Sequence, residues 1–126
     1  MPVRSVLVVD DNPTVRKIIC ELFTREWDFE VCGQAENGQD AIEKAKMLQP
    51  ALIVTDLAMP LMNGLEETRL LKKLMPAVPV IIYSAHIDAF IEKECLAAGA
   101  STVLSKSGNV LVLIEKARHL LHEIAA

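Results

Sequence analysis

The amino-acid sequence predicts an α/β fold, a doubly wound five-stranded parallel sheet with five helices covering both faces. Short, unbroken β-branched runs at 6–9 and 52–55 are typical of the central strands of a parallel sheet. Strand and helix patterns alternate five times along the chain, with short connections between them. Because crossovers between parallel strands are right-handed, this alternation predicts an open sheet with helices on both faces. The strand order that we expect is the flavodoxin-like 2-1-3-4-5.

The first half of the chain supplies three strands and two helices. After the strand at 6–9, Asn12 offers a capping side chain ahead of Pro13 at the first helical position, and apolar residues then follow at helical spacing. A second strand is expected at 29–35. The second helix begins at Asn37-Gly38 and stops before Pro50, and the third strand covers 52–56.

The second half supplies the remaining two strands and three helices. A loop at 57–64 precedes a helix that passes through Leu65, Thr68 and Leu71 and ends ahead of Pro76. A fourth strand is expected at 78–84, and a fourth helix at 88–98, with Gly99 in a C-cap position. The fifth strand covers 102–105, and the last helix runs from Asn109 to about Glu123.

Length and composition describe one globular domain over 1–126, with no output domain within these residues. A net charge of -4 disfavours direct nucleic-acid binding by this surface. No apolar stretch approaches the roughly 20 residues that span a bilayer. Cys20, Cys32 and Cys95 lack CxxC spacing and predict buried, reduced thiols, so we expect a cytoplasmic protein with no membrane contact.

Acidic residues end two of the predicted central strands: Asp10 and Asp11 follow the first, and Asp56 ends the third. The carboxyl ends of parallel strands share one edge of the sheet, so these three carboxylates should converge. Two like charges about 4 Å apart repel by roughly 4 kcal/mol at an effective dielectric near 20, so the cluster needs a cation, a raised pKa or strong donors. A bound Mg²⁺, which prefers oxygen ligands, is the simplest solution.

Two further side chains should reach the same edge. Ser84 ends the fourth strand and Lys106 follows the fifth. Asp56 could act as a nucleophile that forms an acyl phosphate, because Mg²⁺ and Lys106 would neutralise the incoming phosphoryl group. Ser84 could then donate a charge-assisted hydrogen bond to that group and move its own loop.

These residues resemble the receiver domain of bacterial two-component response regulators over essentially the whole chain. The resemblance is carried by VLVVDDNP, DLAMPLMNG, the pair Ser84-Ala85, AAGA and VLSKS. It implies that Asp56 is the phosphoacceptor and that Asp10, Asp11, Asp56 and the backbone carbonyl of Ala58 bind Mg²⁺. It also implies that Ser84 is the switch hydroxyl and Lys106 the phosphate-binding lysine.

The resemblance also implies partners. The phosphoryl donor is expected to be a sensor histidine kinase or a phosphotransfer protein, and the output an attached domain or a protein partner. The chain looks more specifically like receivers that are fused to helix-turn-helix transcription domains. This likeness is carried by AENGQDAIEKAKMLQPALIVTDLAMP, GLEETR and the lysine-serine pair in VLSKS. An apolar surplus on the outer side of the last helix favours a homodimer through the face of helix 4, strand 5 and helix 5.

Three positions modify this expectation. Receivers commonly carry an aromatic residue three positions before the lysine, and here that position is Val103. A valine side chain sweeps less area when it moves. We therefore expect weaker or differently routed coupling from the switch hydroxyl to the face of helix 4, strand 5 and helix 5. Ala58 and His86, two residues after Asp56 and Ser84, occupy positions that influence how water reaches the acyl phosphate. His86 either orients or shields that water or is a partly exposed loop histidine.

Two other functions suit the same fold. A Mg²⁺-dependent aspartyl-phosphate phosphohydrolase would want a general acid two residues after its nucleophile, where this chain has Ala58. A small flavin or nucleotide binder would want a glycine- or hydroxyl-rich phosphate loop after strand one, where this chain is acidic. The sequence therefore favours a signalling module that catalyses only its own phosphorylation and dephosphorylation.

Overall fold

A computed structural model describes residues 3–125 of the chain, and the side chains of residues 3–122. Five strands and five helices alternate along it. The strands form one sheet in the order β2-β1-β3-β4-β5, and every neighbouring pair is parallel. The predicted fold class and strand order are therefore confirmed.

The strands are β1 (Arg4–Val9), β2 (Phe29–Ala35), β3 (Leu52–Thr55), β4 (Val80–Ser84) and β5 (Thr102–Ser105). The helices are α1 (Pro13–Thr24), α2 (Gly38–Leu48), α3 (Gly64–Leu74), α4 (Ala89–Ala98) and α5 (Leu111–Ala125).

Three of the predicted element starts were wrong by two residues. β1 begins at Arg4 and not at Val6, because the Arg4 N–H already donates to the Asp28 carbonyl at 3.0 Å. β4 and α5 begin later than predicted, each for a local reason. β4 begins at Val80 and not at Val78, because the Val78 N–H donates to the Met75 carbonyl in a turn at 3.1 Å and Pro79 has no N–H to donate. α5 begins at Leu111 and not at Asn109. The Asn109 side chain accepts from the Leu111 N–H at 2.9 Å, so Asn109 precedes the helix as a capping residue. The last helix also continues to Ala125, past the predicted end at Glu123.

Helix caps fix where the chain leaves the carboxyl edge of the sheet. The Asn12 side chain accepts from the Thr14 and Val15 N–H groups, and Asn37, Asn63 and Asp88 cap α2, α3 and α4 in the same way. Gly99 ends α4 with φ 113, a left-handed conformation that glycine adopts without steric cost. The loops before α1, α2 and α4 are therefore short, whereas a longer loop joins Thr55 at the end of β3 to Gly64 at the start of α3.

The sheet is buried on both faces. Val6 and Val8 pack toward α1 and α5, while Leu7 and Val9 pack toward α2, α3 and α4. Side chains of a strand alternate between faces, so a run without polar residues serves both layers. The core therefore sits on either side of β1, β3 and β4 and leaves their carboxyl ends as the place where polar side chains gather.

The prediction that the cysteines are buried is confirmed for two of them and wrong for the third. Cys20 and Cys95 are buried, while Cys32 is only half-buried, and all three are free. Burial raises the pKa of each thiol above its usual value, which keeps them protonated and unreactive. Among the described helices, none combines the length and the apolar composition that a membrane crossing requires.

Candidate functional site

The three strand-end carboxylates meet at one point on the carboxyl edge of the sheet. Oxygen atoms of Asp10, Asp11 and Asp56 all lie within 4.8 Å of one another. Asp10 is 1% exposed and Asp56 8% exposed, whereas Asp11 faces solvent. The structure thus combines two buried carboxylates with one at the rim, an arrangement that an ion can reach from solvent.

Main-chain hydrogen bonds place the two buried carboxylates. The Asp10 N–H donates to the Ala35 carbonyl at 3.0 Å, and the Asp56 N–H donates to the Val9 carbonyl at 2.9 Å. Both bonds continue the sheet one residue past the strand ends, so these two residues belong to the rigid sheet and not to a mobile loop. Arg16 of α1 adds a further contact that sequence reasoning missed, because its guanidinium donates to the Asp10 carbonyl at 2.8 Å.

Lys106 supplies the cation that the structure itself places in the cluster. Its Nζ lies 2.6 Å from Asp10 Oδ2 and 3.4 Å from Asp56 Oδ1. The Lys106 N–H donates to the Ser84 carbonyl at 2.8 Å, so the end of β4 positions the lysine. Ser84 is itself buried at the end of β4. The structure therefore brings together the five residues that the sequence assigned to this edge.

The charges of this site do not balance. Burial raises the pKa of the Asp56 carboxyl, the Lys106 ammonium opposes that rise, and the Asp10 carboxylate adds to it. One ammonium faces three carboxylates, so the ionised cluster keeps a surplus of negative charge. A hard divalent cation would neutralise that surplus with the oxygen ligands it prefers, so these residues fit Mg²⁺.

The Asp56 carboxylate is held on one side only. Its Oδ1 accepts from the Leu57 N–H at 2.8 Å and faces Lys106. Within residues 3–122, the structure shows no hydrogen bond to the other oxygen, Oδ2. An oxygen that keeps its lone pairs while its partner is anchored is suited to nucleophilic attack.

Over the described side chains, from residue 3 to residue 122, the structure shows no side-chain hydrogen bond between the remaining predicted positions and the cluster. Ala58 lies exposed in the loop after β3, and His86 lies exposed in the loop after β4. Val103 is half-buried and packs with the core layer of α2, α3 and α4. A metal contact by the Ala58 carbonyl and the roles of His86 and Val103 stay predictions.

Gly64, the first residue of α3, lies directly against the main chain of Asp56. A Cβ at this position would lie 2.1 Å from the Asp56 carbonyl oxygen and 3.0 Å from Leu57 Cα. Gly64→Ala is therefore expected to lower the free energy of unfolding by on the order of 1–3 kcal/mol, because backbone atoms must move to make room.

Gly108→Ala is the matched control for this substitution. A Cβ at Gly108 would meet only the Ser105 carbonyl, at an ordinary 3.5 Å, so its effect should stay within about 0.5 kcal/mol. Urea unfolding of both variants measures the difference. Equal stabilities for the two variants would contradict the close approach of α3 to Asp56.

Fold and site together define a class of protein, a doubly wound α/β domain with an acidic edge whose residues fit a divalent cation. The response regulator receiver domain model matches residues 6–118. The chain therefore belongs to the response regulator receiver domain family, the phosphorylation-controlled switches of two-component systems. The predicted family and general function are confirmed.

Curated proteins and solved structures agree with this assignment. The chain is 38% identical over 112 residues to a protein-glutamate methylesterase/protein-glutamine glutaminase of Nocardioides sp., covering 87% of this chain and 31% of that protein. It is 36% identical over 102 residues to the transcriptional regulatory protein LnrK of Bacillus subtilis, covering 81% of this chain and 46% of that protein. A LuxR-family two-component response regulator from Aurantimonas sp. superimposes with a TM-score of 0.92 at 26% identity, covering 96% of this chain and 86% of that one.

The chain thus spans less than half the length of these two curated relatives. One is named as a methylesterase/glutaminase and the other as a transcriptional regulator. The receiver is the part that this chain shares with both.

Proposed function

We propose that Asp56 is the residue that accepts the phosphoryl group in this receiver. The observation that carries the proposal is the buried contact of Lys106 Nζ with both Asp10 and Asp56, beside a third carboxylate at the rim. An acyl phosphate needs charge neutralisation and in-line placement more than it needs acid–base chemistry. Lys106 and a bound Mg²⁺ would supply the neutralisation, and the anchored Oδ1 of Asp56 leaves Oδ2 to attack the phosphorus.

The residues divide the work of the transfer. Asp56 Oδ2 attacks the phosphorus of the donor, and the bond from phosphorus to the leaving group breaks as the new O–P bond forms. Lys106 offsets negative charge on the transferred group, and the Ser84 hydroxyl donates to one of its oxygens. We propose that Asp10, Asp11, Asp56 and the Ala58 carbonyl hold Mg²⁺, which when bound neutralises phosphoryl charge.

Membership of the receiver family supports a proposal for the phosphoryl donor and for the output. We propose a sensor histidine kinase or a phosphotransfer protein as the donor, and an output domain or protein partner as the receiver of the signal. Relatives named as an esterase and as a transcriptional regulator support an attached output, and the residues GLEETR and VLSKS favour the transcriptional kind. Catalysis by this domain is then confined to its own phosphorylation and dephosphorylation.

The switch is proposed to act through β4 and β5. Movement of Ser84 toward the phosphoryl group would shift the strand that pairs with β5, where Ile82 lies opposite the half-buried Val103. His86, exposed in the loop after Ser84, is proposed to influence access of water to the acyl phosphate. We also propose a homodimer through the face of α4, β5 and α5. Exposed apolar side chains of α4 and α5, such as Phe90, Leu96 and Leu111, support this contact.

The cytoplasm is the proposed location. Three free thiols with raised pKa values are typical of a reducing compartment. A phosphoryl donor that uses ATP would be available there.

Asp56→Asn tests the acceptor directly. Incubated with acetyl phosphate and Mg²⁺, the wild-type protein should gain the mass of one phosphoryl group, because the carboxylate attacks phosphorus and the amide cannot. The variant should gain none, and a chelator should prevent the gain in the wild type. Intact-protein mass spectrometry is the measurement.

Asp40→Asn serves as the control for the loss of a carboxylate. Asp40 lies on α2, pairs with Lys44 at 3.2 Å and is not a member of the acidic cluster. This variant should be phosphorylated like the wild type. An adduct of the same yield on the Asp56→Asn protein would refute the assignment of the acceptor.

A further inference from the structure

A third buried carboxyl group, which is not part of the acidic cluster, lies near the main chain of the acceptor. Glu67 of α3 is 0% exposed. Its Oε1 lies 2.8 Å from Thr55 Oγ1, and that hydroxyl lies 3.0 Å from the main-chain carbonyl oxygen of Asp56. Among the described residues, Glu67 Oε2 is the buried side-chain oxygen that lacks a hydrogen-bond partner.

Counting protons decides the direction of these two hydrogen bonds. The Thr55 hydroxyl has one proton, and the Asp56 carbonyl oxygen can only accept. One proton shared between two acceptors would leave both bonds weak, so two full hydrogen bonds require that Thr55 donates to Asp56 and that Glu67 donates to Thr55. Glu67 must then be a neutral carboxylic acid.

The ionised alternative is unfavourable in this environment. The Thr55 proton would turn to Glu67, and the Asp56 carbonyl would lose its contact with the hydroxyl. No salt bridge to Glu67 occurs in the part of the chain that the structure describes, so the charge would lie unpaired in the core. Burial raises the pKa of Glu67 to about 8, which agrees with the neutral form.

The hydrogen bond from the Thr55 hydroxyl helps to hold the main chain of Asp56 in place. The Asp56 N–H is bound to the Val9 carbonyl in the sheet, and the Asp56 carbonyl is bound to the Thr55 hydroxyl. Gly64, three residues before Glu67, packs against the same carbonyl. The orientation of the Asp56 carboxylate therefore depends on a main chain held on both sides.

We propose that Glu67 is a positioning residue for phosphoryl transfer: it donates a hydrogen bond to Thr55, which in turn holds the main chain of Asp56. The proposal rests on Asp56 being the acceptor. An apolar side chain of similar size would fill the same space without providing the donor, so packing alone does not require a carboxyl group here.

The test compares phosphorylation rates within a matched series. Wild-type protein and the variants Glu67→Leu, Glu67→Gln, Thr55→Val and Thr55→Ser are incubated with acetyl phosphate and saturating Mg²⁺, and adduct formation is followed by mass spectrometry. Glu67→Leu and Thr55→Val should each slow the reaction by about tenfold or more, since small misplacement of a reacting group is costly. Glu67→Gln, whose amide donates, and Thr55→Ser, whose hydroxyl remains, should stay within about threefold of the wild type.

The double variant Thr55→Val/Glu67→Leu isolates the shared path. If the two residues act in series, it should be no slower than the slower single variant. Multiplied effects in the double variant would overturn the proposal, and so would a wild-type rate in Glu67→Leu or an equal loss in Glu67→Gln. If Glu67→Leu fails to fold, the pair Thr55→Val and Thr55→Ser decides the same question, because equal rates in these two variants would also overturn it.

A measurement on the unmodified protein is independent of folding defects. The side-chain carboxyl carbon of Glu67, followed by ¹³C NMR at neutral pH, should give the signal of a protonated acid. An ionised signal overturns the proposal even if Asp56 is phosphorylated. A wild-type protein that never acquires the phosphoryl group overturns the assignment of Asp56 and this proposal with it, so the two failures are distinguishable.

Discussion

Lys106→Met is expected to slow phosphoryl uptake from acetyl phosphate by about a hundredfold or more. Among the residues that the structure describes, this lysine is the one ammonium within 3.4 Å of Asp56, and methionine matches its length without its charge. Losing a preoriented group that stabilises developing charge typically costs on the order of 10²–10³ in rate. The rate is measured by mass spectrometry over a time course with Mg²⁺ in excess.

The same substitution should also reduce the stability of the resting protein. Asp10 and Asp56 would remain buried without the ammonium that now contacts both, at a cost of on the order of 3 kcal/mol. Added Mg²⁺ should restore part of that loss, because it replaces the missing positive charge. Thermal unfolding with and without Mg²⁺ measures the effect.

Lys44→Met is the control for the loss of a lysine. Lys44 pairs with Asp40 at the surface, and this pair is worth less than about 1 kcal/mol. Its variant should keep the wild-type rate and nearly the wild-type stability. A Lys106→Met protein that is phosphorylated as fast as Lys44→Met would contradict the electrostatic role of Lys106.

Glu67→Gln is expected to become more stable relative to the wild type as the pH rises. The folded-state pKa of Glu67 is raised from 4.5 to about 8 by burial. Between these values the folded protein keeps a proton that the unfolded chain has lost, so the contribution of Glu67 to stability is full below the unfolded pKa and is lost as the pH rises through the folded one. Glutamine does not titrate, so the stability of the Glu67→Gln variant does not fall for this reason as the pH rises.

The expected magnitude is large for one side chain. From about pH 5 to about pH 8, the unfolding free energy of the wild type should fall by on the order of 3 kcal/mol relative to that of Glu67→Gln. Urea denaturation of both proteins at each pH measures it, and the other titrating groups cancel in the difference.

Glu66→Gln is the matched control for this pH dependence. Glu66 is the exposed neighbour on the same helix. The pH dependence of its variant should parallel that of the wild type. A constant difference between Glu67→Gln and wild type across the range would show that Glu67 is ionised in the folded protein.

Much of the fold was predictable because its signals are local. Asn12, Asn37 and Gly99 mark helix ends through their own side-chain and backbone chemistry, and the buried strands are uninterrupted apolar runs. The errors at Val78 and Asn109 arose where a turn or a cap competes with regular structure for the same backbone N–H. Such competition depends on neighbours that a residue pattern does not specify.

The site was predictable in its members but not in its contacts. Acids, a hydroxyl and a lysine at successive strand ends must meet once the strands are parallel. That Lys106 pairs most closely with Asp10, and that Arg16 holds the Asp10 carbonyl, depends on side-chain conformations. Glu67 was missed because an acid beside Glu66 on an amphipathic helix looks solvent-exposed, and only the packing of α3 on β3 buries it.

The most direct test of the site is to locate the phosphoryl group by chemical reduction. Sodium borohydride reduces an aspartyl phosphate to homoserine with release of phosphate, and so marks the modified residue permanently. After treatment with acetyl phosphate and Mg²⁺, peptide sequencing by mass spectrometry should find homoserine at position 56 and aspartate at positions 10 and 11. Homoserine at position 10 or 11, or none at position 56 in a protein that has gained the adduct, would contradict the account.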